Sequence, residues 1–206
     1  MPSPLQGQQY MDLDDFEELL LDKPRDEKWE LIGGRVVRGM VGARWAHHEI
    51  VQNINFALRT HIRDKGLPCR TFTETFWLKQ RFLKLAVFPD IMVRCAPMEP
   101  DMGSIDDPLI LMEVVSPSSE ERDRGKKASA YMRLPSLQHV CFIDRDRVNI
   151  DVFDRSDTGW TPRPPIESIE EMLAVPAISF AMRVADVYGD ALAPEPQPTI
   201  MDRKGT

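Results

Sequence analysis

The chain has 206 residues, 42% hydrophobic and 29% charged, with a formal net charge of -7. That length and composition predict one globular domain over residues 10–190, with loose polar tails at 1–9 and 191–206. The acidity runs against the basic footprint of a general nucleic-acid binder, and no apolar run approaches the roughly 18 residues of a membrane span.

In chain order, Phe16, Leu19 and Leu20 at helical spacing predict a short helix over 11–21, with acids in its first turn. A strand at 29–32, the turn Gly33-Gly34 and a strand at 35–41 read as a hairpin. Ile50, Ile54, Leu58 and Ile62 recur every four residues and predict an amphipathic helix over 46–65, ended by Gly66 and Pro68. Strands are expected at 69–78, 83–93 and 108–115, the last two apolar enough to be buried on both faces. An acidic loop at 98–107 separates those two. A helix over 120–134 closes at Pro135, and strands at 140–144 and 148–153 form a second hairpin. Trp160 fits one more short strand, and residues 169–173 and 181–188 read as short helices. The order predicts an α/β (α+β) fold, a mixed central sheet flanked by helices.

The chemistry is suggested by acids that interrupt apolar strands. Asp90 follows Ala86-Val87-Phe88-Pro89, and Glu113 sits within Leu109-Ile110-Leu111-Met112 and Val114-Val115. A buried carboxylate is costly unless paired, hydrogen-bonded or bound to metal. Two on neighbouring strands repel, and a hard divalent cation relieves that. Taken singly, Asp90 reads equally well as a turn cap, and Glu113 as a strand-end residue paired to an arginine. Lys127 and Tyr131, four apart, share one helix face. From there Lys127 reaches back toward Glu113, while Lys126 turns to solvent. Its bland alternative is a lysine stretched along the surface. The cysteines Cys69, Cys95 and Cys141 lie far apart and in no ligand spacing. An odd, sparse count argues against a disulfide framework and a thiolate zinc site, and for a reducing cytoplasm.

Pro89-Asp90, then Glu113 on the next strand, then a helical lysine resembles the PD-(D/E)XK restriction-endonuclease-like superfamily. A longer ordered set runs through Trp29-Glu30-Leu31-Ile32-Gly33-Gly34-Arg35, His47-His48-Glu49-Ile50-Val51, Phe88-Pro89-Asp90-Ile91 and Glu113-Val114-Val115-Ser116-Pro117-Ser118. It continues through Asp123-Arg124-Gly125-Lys126-Lys127 to Tyr131, and ends at Phe142-Ile143-Asp144. This set is similar to the bacterial restriction-endonuclease group expanded in cyanobacteria, over roughly residues 12–190.

The resemblance implies a restriction-endonuclease-like core, with Asp90, Glu113 and the backbone carbonyl of Val114 holding Mg²⁺ or Mn²⁺. Position 115 is Val where the usual E-x-K has its lysine, so that role passes to Lys127 on the following helix. Glu30 matches a glutamate that completes such sites through water, and His47 a histidine that contacts phosphate or carries a proton. Their alternatives are a surface strand residue and a packing histidine. The turn reads Gly-Gly-Arg where the group prefers Asp-Gly-Glu, an acid lost and a cation gained. The expected function is therefore a cytoplasmic Mg²⁺-dependent DNA endonuclease. A homodimer is a candidate assembly, since cutting two strands calls for two sites. The competing expectation is an inactive nuclease-fold module that binds nucleic acid or protein without turnover.

Overall fold

A computed structural model describes residues 10–40, 42, 44–116 and 125–192. The expected tails lie outside these residues, except for Ala191 and Leu192.

Helix α1 (Leu13–Leu19) is capped by the Asp12 carboxylate, which accepts from the Asp15 amide at 3.0 Å. Strands β1 (Glu27–Ile32) and β2 (Arg35–Met40) form the predicted hairpin. Gly33 and Gly34 turn it at φ 58° and 81°, where a Cβ is disfavoured. Helix α2 (Trp45–Asp64) buries Ile50, Val51, Ile54, Leu58 and Ile62, the stripe legible in the sequence.

The next two predicted strands each divide. Residues 69–78 form β3 (Arg70–Thr73) and β4 (Trp77–Gln80), and residues 83–93 form β5 (Leu85–Val87) and β6 (Ile91–Arg94). β3 pairs with β6 in one sheet and β4 with β5 in another, so both chains cross between sheets at 74–76 and 88–90. Pro89 has no N–H with which to continue a ladder, and Glu74 adopts φ 34°, which bends its chain out of extended geometry. The crossings touch: the Glu74 amide donates to the Pro89 carbonyl at 3.1 Å.

After β7 (Ser104–Ile105) comes β8 (Ile110–Val115), buried throughout. Of the predicted 120–134 helix, residues 120–124 lie outside the described residues. A π-helical turn at 125–127 leads into α3 (Ala128–Tyr131). β9 (His139–Asp144), β10 (Ile150–Ser156) and β11 (Gly159–Pro162) form the expected meander. Two short-helix expectations are corrected. The end of 169–173 belongs to β12 (Met172–Val175), and 181–188 splits into β13 (Phe180–Arg183) and α4 (Val184–Tyr188). Buried Leu173, Val175, Phe180 and Met182 alternate with more exposed neighbours, so period two prevails over the helical reading.

The strands form a six-stranded sheet ordered β11-β10-β9-β8-β6-β3, a five-stranded sheet ordered β2-β1-β5-β4-β7, and the β12-β13 hairpin. One face of the six-stranded sheet packs Ile91, Val93, Ile110, Met112 and Val114 against α2 and α4. The other packs Met92, Leu111, Val115, Val140 and Phe142 against α3 and the five-stranded sheet. Each fully buried aliphatic side chain contributes about 1.5–3 kcal/mol. A further departure from expectation is the Cys69–Cys95 disulfide. One residue beyond each end of the Arg70↔Arg94 pair, the two cysteines fall opposite one another, a juxtaposition invisible from spacing alone. Closing that 26-residue separation stabilises by about 3.5 kcal/mol in the chain-entropy view. Cys141 is free and buried, and burial pushes its thiol up to about 12, so it is no nucleophile at neutral pH.

Candidate active site

Alternation decides where the acids point. Glu113 has the parity of Leu111 and Val115, and Asp90 that of Met92, so both face the layer between the two sheets. The β6–β8 register pairs Ile91 with Met112. One step further sets Asp90 against Glu113, at the point where the chain crosses between sheets. Glu30 shares the parity of Ile32, so it faces the same layer from the opposite sheet. Lys127 enters from the turn before α3, and Lys126 is exposed as expected.

These groups converge. Glu30, Glu113 and Lys127 are each at most 5% exposed. Lys127 Nζ donates to Glu113 Oε1 at 3.2 Å and lies 3.4 Å from Glu30 Oε1. The Tyr131 hydroxyl donates to the same Glu113 oxygen at 2.5 Å. Glu30 Oε1 also accepts from the Phe88 amide at 2.9 Å, tying the first hairpin to the crossing segment. Asp90 Oδ2 accepts from the Val114 amide at 2.7 Å, so Val114 meets Asp90 through its N–H.

On the other side of Asp90 stands His47, in the first turn of α2. Its Nε2 lies 3.4 Å from Asp90 Oδ1 and 3.4 Å from Glu74 Oε1. Burial works against a charge on His47, but the Asp90 and Glu74 carboxylates outweigh it and raise its pKa from 6.5 to about 10. Burial likewise opposes charge on Asp90. His47, Lys127 and Lys28 more than compensate and hold Asp90 below the usual carboxylate range. The structure thus brings together all the side chains singled out in the sequence: Glu30, His47, Asp90, Glu113 and Lys127.

Three contributors were not foreseen. Glu74 lay inside what read as one continuous strand; its one signal was an acid breaking a Thr-and-aromatic run. Tyr131 read as a core residue, and it is buried, but its hydroxyl serves Glu113. Lys28 carried no signal. Two basic residues at the end of β4 are paired within the fold: Lys79 with Glu17 at 2.6 Å and Arg81 with Asp14 at 2.7 Å. Arg122 and Arg124 lie outside the described residues.

Four carboxylates from separate segments, an imidazole and a buried lysine at a strand crossing suit a divalent cation and an oxyanion. His47, Glu74 and Asp90 offer ligand atoms all within 4.8 Å of one another, so the donor set fits an ion.

The mixed sheets flanked by helices define a protein of the restriction-endonuclease-like superfamily, the fold class expected from sequence. The chain belongs to the Uma2 family, described as putative restriction endonuclease, which matches residues 13–185. It is 36% identical over 144 residues to the uncharacterized protein slr1290 of Synechocystis sp., covering 69% of this chain and 74% of that protein. A second Synechocystis relative, the uncharacterized protein sll1609, is 24% identical over 148 residues, covering 70% of this chain and 82% of that protein. The fold is similar to the crystal structure of a putative nuclease belonging to DUF820 from Anabaena variabilis. That match has a TM-score of 0.71 and 18% identity, covering 88% of this chain and 99% of that one. Among the described residues, no helix is long and apolar enough to cross a membrane.

Proposed function

We propose that the chain is a metal-dependent endonuclease that hydrolyses phosphodiester bonds in DNA. The observation that carries this reading is Lys127, 3% exposed, held by Glu113 and Glu30 beside Asp90. Burying an ammonium among carboxylates costs several kcal/mol unless its partners compensate, so such a cluster points to chemistry. Asp90 and Glu113, with the Val114 carbonyl, would hold Mg²⁺ or Mn²⁺. The bound ion would activate water and stabilise charge developing on the phosphate. Lys127 orients the attacking water and meets the negative phosphate oxygens. Glu30 and the Tyr131 hydroxyl fix Lys127 and Glu113 in place, and the Val114 amide fixes Asp90.

The net charge of -7 favours a second reading, an inactive module that binds without turnover. One assay separates the two: nicking of supercoiled plasmid in Mg²⁺, Mn²⁺ or EDTA, beside Asp90→Ala. The endonuclease reading predicts metal-dependent nicking that the substitution abolishes. Equal nicking by wild type and Asp90→Ala, or none by either with any metal, would remove it.

A further inference from the structure

Asp90 is the hinge between two sets of groups: Glu113 with Lys127 on one side, His47 with Glu74 on the other. We propose that His47 Nε2 and Glu74 Oε1 join Asp90 as direct ligands of the divalent ion, so that the site prefers Mn²⁺ to Mg²⁺. This rests on the metal-dependent reading above and extends its ligand set by two residues.

The spacing supports it. His47 Nε2 stands 3.4 Å from each of two carboxylate oxygens. That exceeds the roughly 2.7–3.2 Å of a good N–H···O bond, and one N–H cannot point at both. Two ligand atoms each about 2.1 Å from a shared ion, however, sit about 3.0 Å apart across an octahedral edge and about 3.4 Å across a tetrahedral one. The three ligand atoms all lie within 4.8 Å of one another, so a small inward shift of the partly exposed Glu74 brings them to a trans limit of about 4.2 Å.

The elements supporting these ligands are independent of one another. His47 lies one turn before Ile50 and Val51, whose burial against the sheet fixes the start of α2. Glu74 is set by the chain crossing, where its amide donates to Pro89 one residue before Asp90. Asp90 has Oδ2 engaged by Val114, and Oδ1 faces His47. The donor set decides the metal. Mg²⁺ demands near-ideal octahedral oxygen and water ligands, whereas Mn²⁺, although the weakest binder of the first-row series, tolerates one imidazole nitrogen among carboxylates.

The test uses the full chain and Mn²⁺ alone. Titration followed by electron paramagnetic resonance gives the affinity, and pulsed measurements detect a directly bonded ¹⁴N. Wild type should bind Mn²⁺ with a nitrogen coupling, and Mg²⁺ should displace it poorly. His47→Ala should remove the coupling and weaken binding at least about tenfold, since even outer-shell changes cost 10–100-fold. Glu74→Gln should keep the coupling and weaken binding to a similar extent. Glu74 is partly exposed, so its substitution spares the core, and circular dichroism verifies both folds. Bound Mn²⁺ without nitrogen coupling in wild type overturns the proposal, as do unchanged affinities in both variants or no Mn²⁺ binding by wild type. If Mn²⁺ binds through His47 and Glu74 but plasmid stays intact, the ligand assignment stands and the nuclease reading fails. If plasmid is nicked while His47→Ala and Glu74→Gln bind Mn²⁺ as wild type does, the reverse holds.

Discussion

Two polar clusters are built into this fold, and they are composed differently. On β9 and β10 of the six-stranded sheet, His139 Nδ1 meets Asp154 Oδ1 at 2.7 Å, and Arg163 grips the same carboxylate. Backbone closes the remaining positions: His139 Nε2 accepts from the Ala177 amide, and Arg163 donates to the Ala174 carbonyl. One acid faces a guanidinium and an imidazole, so the network is balanced and ties β9, β10 and β12 together. At the sheet crossing, Glu30, Glu74, Asp90 and Glu113 face Lys127 and His47, with Lys28 nearby. There acids outnumber bases among the described residues. The contrast separates a polar cluster whose charges balance from one left with an excess of acid, which a cation would offset.

The sharpest way to break that comparison is Asp90→Asn. It should reduce metal-dependent plasmid nicking by at least about 100-fold, the lower end for a positioned catalytic group, while His139→Gln leaves the rate per folded molecule unchanged. If both substitutions slow nicking alike, the two clusters are not different in kind.

Lys127→Met comes next. It strands Glu113 and Glu30 in the interior and should cost about 3–5 kcal/mol in urea unfolding without metal. Adding Glu113→Gln to it should recover part of the loss, because the uncompensated charge is gone. A cost below about 1 kcal/mol would show that the lysine is not held as described.

His139→Gln should cost about 1–3 kcal/mol by leaving buried polar groups unmatched. Metal should not restore that stability, whereas it should restore part of what Lys127→Met loses.

The two clusters also differ in pH dependence. The folded pKa of His47 is raised from 6.5 to about 10. Its contribution to metal-free stability is therefore complete below 6.5 and is lost as pH rises through about 10. Asp154 behaves oppositely. Burial opposes its charge, but Arg163 and His139 depress its pKa from 3.8, so its contribution is present above 3.8 and lost as pH falls through the depressed value. Melting curves should show His47→Ala flattening the alkaline limb and Asp154→Asn the acid limb.

Much of this was legible in the sequence because periodicity reports burial directly. The Ile50-to-Ile62 stripe foretold α2, and acids inside apolar runs marked Asp90 and Glu113, both of which the fold buries. The crossings were not legible. A strand that changes sheets keeps its apolar composition, so 69–78 and 83–93 read as single strands although Pro89 marked the break. Glu74 was missed for the same reason: its place beside Asp90 follows from the bend at φ 34°, a conformation no side chain announces. The Cys69–Cys95 bond depends on β3 pairing with β6, a tertiary fact. The four-residue spacing of Lys127 and Tyr131 survives at the start of α3, where both reach Glu113.

A buried lysine that takes part in chemistry does more than hold the fold. Single-turnover nicking by wild type and Lys127→Ala, both folded and saturated with Mn²⁺, tests that role most directly. The account predicts that Lys127→Ala still binds the ion and cuts at least about 100-fold more slowly. Equal rates in the two proteins would contradict it and leave Lys127 a structural partner of Glu113 and Glu30.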